Sequence, residues 1–561
     1  MKRHKHAVAL LSVGLLLTAA VNPAVAAAAP GHGEIEVTGS SWAAAAVGQW
    51  VVDVHSQGIQ ADFTPSGSAQ GRKDFANDAN DMAISDIPFQ GKDPTTHEPD
   101  TANGRQLAYL PIAAGGTAFP YHIKVGNQMV RNLRLSPITL AKIFTNKITN
   151  WNDPAVTADN NNHALPSLPI IPVVHSEGAG TTAMFTEYLA KVDGSDWAPC
   201  NGGVDAETEY FPLNCGKSHG PQKAQSGSDG VMNFLTNPNA NGSIGVEEYS
   251  YALALNYPVA KLLNKAGYYT LPTQYNVAVA LTKAVFDLNA NDQNYLTADL
   301  SNVYVNTDPR TYPLSSYVYS ILPIANGPNE TPPGSDPRMT SEKKQSNADF
   351  LNYAICQGQK EIGPIGYSSL PINLVQAGFA QIAKLHQADA AVDVAHLDAS
   401  NCGNPTFDRH DLSKNLLAVE APQPPACDKQ GAGPCDAGVG SYNGSPAGAA
   451  AANKAAAAQK ANVSSDAATA GGGAAAAGGA ARPAAAASAS QGADALAFND
   501  SGLVATSNSE PIAVPQTLST DDQAGIGVIL IILAVVLFVL VLIGPALYAR
   551  RLAIRSSGDA S

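Results

Sequence analysis

The sequence contains no Cys-x-x-Cys pair, no set of residues spaced to ligate a metal, no nucleophile elbow and no carboxylate pair at a catalytic spacing. These absences weaken zinc, redox and hydrolytic readings. No cysteine follows the N-terminal apolar run closely: the first of the six is Cys200. A lipid-modified N-terminal cysteine is therefore excluded as an anchor. Positive charge is also scarce, with 33 Lys and Arg against 47 Asp and Glu, a net charge of −14. That balance argues against nucleic acid as a partner and against a bulk electrostatic trap for anions. An anion bound by this chain must be held by local hydrogen bonds and dipoles.

What is present divides the chain. At 561 residues it exceeds one ordinary domain, but its two ends do not read as globular. Lys2, Arg3 and Lys5 precede an apolar run from Ala7 to Ala20, and Ala24-Val25-Ala26 supplies small residues for cleavage. Residues 1–26 thus read as a secretory signal peptide. Residues 524–547 are almost wholly apolar and uncharged, long enough to cross a bilayer core of ~30 Å. Asp521 and Asp522 precede them, and Arg550, Arg551 and Arg555 follow. This predicts one transmembrane helix with a cytoplasmic tail at 548–561 and everything upstream outside the cell. Residues 437–520 are rich in Ala and Gly, cannot bury a core, and read as a disordered stalk. The six cysteines, Cys200, Cys215, Cys356, Cys402, Cys427 and Cys435, all fall in the external part. An even count in an exported chain predicts disulfides. Sequence proximity favours Cys200–Cys215, Cys356–Cys402 and Cys427–Cys435 among the many pairings open to six cysteines.

The central stretch runs from Leu168 to Leu189. An apolar strand, Leu168 to Val174, leads into His175-Ser176-Glu177-Gly178-Ala179-Gly180-Thr181-Thr182 and then an amphipathic helix with Phe185 and Leu189 inward. A strand, a glycine turn and a helix N-terminus bring free N–H groups and the positive end of a helix dipole to one point. That arrangement binds anions. The plainer reading is a strand-to-helix turn with Thr181 as N-cap.

The pattern recurs upstream. Glu34 to Val37 reads as a strand, Thr38-Gly39-Ser40-Ser41 as a turn, and Trp42 to Val54 as a helix with Trp42, Ala46, Trp50 and Val54 near one face. A strand from Ile59 to Phe63 is followed by the small-residue turn at 64–71 and a helix beginning near Arg72. A further short strand, Met82 to Ser85, ends at Asp86. Strand, polar turn and helix in repetition predict an α/β fold with ligands at the carboxyl ends of strands. Simple capping explains each turn taken singly. Three such turns together with Asp86 point to one small anion.

These residues resemble the phosphate-binding protein of ABC-type phosphate importers, over about Glu34 to Ala380. The resemblance rests on spaced motifs: Gly39-Ser40-Ser41-Trp42, Pro65-Ser66-Gly67-Ser68, Ile84-Ser85-Asp86, Lys147-Ile148-Thr149-Asn150-Trp151-Asn152-Asp153-Pro154, Gly242-Ser243-Ile244-Gly245-Val246-Glu247-Glu248-Tyr249 and Gly366-Tyr367-Ser368-Ser369-Leu370-Pro371. It implies a two-lobed type II periplasmic-binding-protein fold for a solute-binding domain at 33–436, with lobe I at 33–115 and 312–420 and lobe II at 116–311. It implies ligand contacts from the hydroxyls of Ser41, Ser68 and Thr181 and the backbone N–H groups of Trp42, Gly180 and Thr181. Asp86 would accept the proton of a protonated oxyanion. The chain departs from the family where charge matters most: His175 stands in place of the ligand-binding Arg, and Ala179 in place of a binding Ser. Loss of an Arg that grips an oxyanion is not conservative. Arg72 is a candidate substitute, with an exposed surface position as its plainer reading, and Glu177 lies beside His175 as a further possible contact.

The leading expectation is a membrane-tethered, extracellular receptor that captures phosphate or a related oxyanion and presents it to an ABC permease, with no cofactor, no metal and no catalytic residue. A second reading is a sensor or surface structural protein with a vestigial pocket. A third is a phosphatase-like hydrolase using a serine and His175.

Overall fold

The computed structural model describes residues 31–435, apart from 93–96, 127, 214, 216–221, 326–337, 409 and 412–413, together with 496–499 and 502–505. The expected signal peptide, transmembrane span and cytoplasmic tail lie outside the described residues. Among the described residues, no helix is long and apolar enough to cross a membrane. Within the segment expected to be a disordered stalk, Leu496–Asn499 and Gly502–Ala505 pair as an antiparallel hairpin. The sequence reading placed no element there.

Two sheets organise the main body. The first sheet has six strands. Its parallel part is built from β1 (Ile35–Gly39), β2 (Ala61–Thr64) and β3 (Met82–Ser85), with β1 between the other two. β1 buries Ile35 and Val37 and exposes Glu36, the alternation of a half-covered strand. It ends at Gly39, φ 140°, where a Cβ would lie 1.9 Å from the Ile84 carbonyl oxygen, so only glycine fits. Helix α1 (Ala44–His55) buries Ala46, Trp50 and Val54, as their spacing predicts, and the Trp50 indole donates to the Gly358 carbonyl at 3.2 Å. Helix α2 (Ser68–Ala76) begins at Ser68, four residues before the expected start, because Gly67 at φ 93° turns the chain there.

The long strand β4 (Gln106–Ala118) leads out of this first sheet. The next strand, β5 (Tyr121–His122), belongs to a four-stranded sheet with β6 (Ile171–His175), β7 (Lys223–Gln225) and β8 (Ser243–Gly245). Just after β8, the short strand β9 (Glu247–Glu248) pairs back with the end of β4, Glu247 opposite Ala118 and Glu248 opposite Thr117. The chain returns fully with β10 (Ser315–Ala325), antiparallel to β4 and β3. The result is the two-lobed α/β architecture.

Helix α3 (Gly180–Cys200) follows β6, and α4 (Gly227–Thr236) follows β7. α3 is seated by Phe185, whose ring lies 5.1 Å from Phe119 and 4.9 Å from Phe144, both edge-on. Its N-cap is Ala179, in extended conformation with no side-chain cap bond, rather than Thr181, which falls inside the first turn. The helix ends at Cys200, joined to Cys215; Cys356–Cys402 and Cys427–Cys435 complete the three pairings that sequence proximity favours.

Candidate functional site

The turns after β1, β2 and β3 meet at Asp86. Its carboxylate accepts from Ser40 Oγ at 2.7 Å and Ser68 Oγ at 3.1 Å, and its backbone N–H donates back to Ser68 Oγ at 3.2 Å. Burial pushes the Asp86 carboxyl up to about 6, against the two serine hydroxyls and His175, which favour the ionised form. Ser41 points the other way. Its Oγ lies 3.2 Å from Ser228 Oγ at the start of α4, and its carbonyl accepts from the Tyr251 hydroxyl at 2.9 Å. Trp42 is buried edge-on against Tyr367 with ring centroids 5.5 Å apart, and its carbonyl accepts from the Tyr367 hydroxyl.

The facing lobe supplies the end of β6 and the start of α3. Gly180 presses on the first lobe so closely that a Cβ would lie 2.3 Å from Asp86 Oδ2 and 2.6 Å from Ser68 Oγ. Just before it, the Gly178 carbonyl accepts from the Ala69 N–H at 3.1 Å. The N–H groups of Gly180 and Thr181 have no backbone acceptor among the described residues, as the first turn of a helix dictates. Thr181 is buried at the same point. The arrangement therefore sets donors of positive helix-end potential against an acceptor carboxylate.

His175 is buried at the carboxyl end of β6. Its Nδ1 lies 2.9 Å from Glu177 Oε1, while its Nε2 is buried without a hydrogen-bond partner. Burial opposes a charge on the imidazole, but the Glu177 bond and the carboxylates of Glu247, Glu177 and Asp86 outweigh it and raise the pKa. Both Glu177 oxygens also accept from the Gly227 N–H, at 3.1 Å each, so Glu177 orients the imidazole and caps α4. Burial of Glu177 is outweighed by His175 and the Gly227 N–H, which hold its pKa below the usual range.

Arg72 is not exposed. It is 1% exposed; its Nε donates to both Asp100 oxygens at 3.1 and 3.2 Å, its Nη1 to Ser85 Oγ at 3.2 Å, and its Nη2 pairs with Glu209. Its exposed-surface reading is therefore corrected: the guanidinium ties α2 to the segment after α3.

Residues 24–358 match the family model of the PBP superfamily domain. This chain belongs to the PBP superfamily. The phosphate-binding protein PstS2 of Mycobacterium bovis is 30% identical over 383 residues, covering 65% of this chain and 94% of the relative. The phosphate-binding protein PstS of Methanocaldococcus jannaschii is 26% identical over 352 residues, covering 61% and 84%. A solved structure of a high affinity periplasmic phosphate-binding protein bound with phosphate covers 64% of this chain and 99% of its own, at 17% identity and a TM-score of 0.46. By its similarity to the PstS2 relative, the chain belongs with the phosphate-binding proteins.

Three residues around this candidate site escaped the sequence reading as site residues. Ser40 rather than Ser41 holds Asp86. Ser228 reaches Ser41 from the other lobe. Glu247 is fully buried beside His175. The signal for Glu247 was present: two adjacent acids close an apolar strand, Ser243 to Val246, and an acid in such a place is buried at a cost unless it serves something.

Proposed function

We propose that this chain is an extracytoplasmic receptor that captures inorganic phosphate for an ABC importer, closing its two lobes on the ligand. The observation that carries this reading is the contact between Gly180 at the N-terminus of α3 and the Asp86–Ser68 pair of the facing lobe. Free N–H donors and one buried carboxylate at a single point suit an oxyanion that still carries a proton. A fully ionised sulfate has no proton to give Asp86 and meets a like charge there. The ligand contacts we assign are Ser41, Ser68, Asp86, His175, Thr181 and the N–H groups of Trp42, Gly180 and Thr181. Arg72 receives no ligand role, because Asp100, Ser85 and Glu209 engage its guanidinium. Glu177 receives a positioning role through His175. An imidazole in place of a guanidinium donates fewer hydrogen bonds, so the affinity is set lower than a site with Arg would reach.

The tether is part of the same proposal. The apolar span at 524–547 anchors the receptor to the cell membrane, and the Ala- and Gly-rich segment gives it reach to the permease. The test of capture is calorimetry of the full chain with phosphate, arsenate, a phosphonate and sulfate. The reading predicts heat with phosphate and arsenate and none with sulfate. No heat with any of them would replace it with the vestigial-pocket reading.

A further inference from the structure

β6 and β8 are parallel neighbours, with Ile171 opposite Ser243 and Val173 opposite Gly245. Continued by two residues, that register sets His175 beside Glu247 at the carboxyl ends of the strands. This is the edge where open α/β sheets bind ligands. The Val246 N–H donates to the Val173 carbonyl at 3.1 Å, so the two chains still run together there. Glu247 is 0% exposed, and its Oε2, like His175 Nε2, is buried without a hydrogen-bond partner. Its other oxygen accepts from the Glu248 N–H at 2.9 Å. The Ser228 hydroxyl favours the ionised form of its carboxyl, and that same Oγ lies 3.2 Å from Ser41 Oγ. Ser228 is thus the residue near Glu247 that reaches the first turn of the facing lobe.

We propose that Glu247 is a specificity-determining residue of the anion site: with Asp86 it brackets His175, so that the site takes a protonated monoanion and admits a dianion only with proton uptake. The inference rests on the anion-receptor reading for its ligand. The charges facing the site are few. His175 is met by Glu177 from its own loop, by Glu247 from the neighbouring strand and by Asp86 from the other lobe. Glu247 is met by His175 and by Asp229 of α4, and Glu248 lies next to it. Asp86 is met by His175 and Glu209. The one cation named in these sets is an imidazole, and both buried carboxyls interact with it. A dianion entering between them meets like charge unless Glu247 is neutral. Burial pushes the Glu247 carboxyl up to about 7, against His175 and the Ser228 hydroxyl, so the group changes charge in the range where phosphate does. Neutral, it can donate through the proton on its carboxyl to a ligand oxygen; ionised, it can only accept.

The test is phosphate calorimetry of the full chain and Glu247→Gln between pH 6 and pH 8, in buffers of different ionisation enthalpy, which counts the protons taken up. Phosphate's own titration is common to both proteins and cancels in their difference. At pH 6 the two should bind within about twofold. At pH 8 Glu247→Gln should bind about tenfold tighter, since one pH unit above the carboxyl's midpoint costs the parent about one factor of ten. It should also take up fewer protons per phosphate bound. Equal pH profiles and equal proton uptake would overturn the proposal. Ser228→Ala removes a hydroxyl that favours the ionised carboxylate and should move the break in the profile to higher pH. An unmoved break counts against Glu247 as the titrating group. Thermal melting of the ligand-free proteins separates this inference from the phosphate reading. If neither protein gives heat with phosphate, the receptor reading fails. A Glu247→Gln melting profile that keeps the parent's slope between pH 5 and pH 8 then rejects Glu247 on its own.

Discussion

Replacing Gly180 with Ala adds one methyl group at the contact that defines the site. The added Cβ would lie 2.3 Å from Asp86 Oδ2, 2.5 Å from Asp86 Cβ and 2.6 Å from Ser68 Oγ. Real Cβ atoms essentially never come within 3.0 Å of another heavy atom, so something must move by about 0.7 Å, the difference between 3.0 and 2.3 Å. Asp86 has little room to give, being buried and held by Ser40 at 2.7 Å and Ser68 at 3.1 Å. The relief must come from parting the lobes. Overpacking of this kind costs about 1–3 kcal/mol, which is about five- to 150-fold in affinity. The cost falls only on the form in which the lobes touch. Gly180 does not carry a positive φ, and Ala favours a helix over Gly, so the open, ligand-free protein loses nothing. Calorimetry with phosphate should show the weakened binding, and the ligand-free melting temperature should stay at or slightly above that of the parent. Affinity within about twofold of the parent would refute the claim that this contact belongs to the ligand-bound state.

His175→Arg should tighten phosphate binding by about 1–3 kcal/mol, the scale of a hydrogen bond to a charged group, and His175→Ala should weaken it, more at pH 6 than at pH 8; titrations of both variants at the two pH values check this. The ligand-free protein should lose stability as pH rises from about 4 to about 7. Asp86, raised from 3.8 to about 6, and Glu247, raised from 4.5 to about 7, keep protons in the native state that the unfolded chain has released. Each contributes on the order of 3 kcal/mol over that window, and denaturant unfolding across the pH range reads it. Replacing Cys200 and Cys215 together by Ala should leave phosphate affinity unchanged, because Cys200 lies at the far end of the helical segment that Gly180 begins, beyond the break at Asp193; the same calorimetry decides it.

Much of the fold was legible because its determinants are local. β1, β3, β6 and α1 announce themselves through alternation, apolar runs and the spacing of Trp42, Ala46, Trp50 and Val54. Boundaries were less legible where one backbone torsion decides them. Gly67 at φ 93° starts α2 four residues ahead of the apolar pattern. Two of the disulfides close short excursions, with separations of 15 and 8 residues, whereas Cys356–Cys402 spans 46. Arg72 was not legible as an ion-pair residue: its partners Asp100 and Glu209 lie 28 and 137 residues away, and pairing over such separations is a product of the fold. The adjacency of Glu247 to His175, though not the buried acid itself, was illegible for the same reason. The two become neighbours only when β6 and β8 align. Ser40 and Ser41 could not be told apart by sequence, since adjacent residues at a strand end point to opposite sides.

The central claim, that Asp86 accepts a ligand proton at this site, is tested most directly by comparing phosphate and sulfate binding in the parent and in Asp86→Asn by calorimetry at neutral pH. The account predicts that the parent binds phosphate and rejects sulfate, and that Asp86→Asn, with a neutral side chain that can donate as well as accept, narrows that gap by at least about tenfold. A parent that binds sulfate as tightly as phosphate, or an Asp86→Asn variant whose discrimination is unchanged, would contradict it.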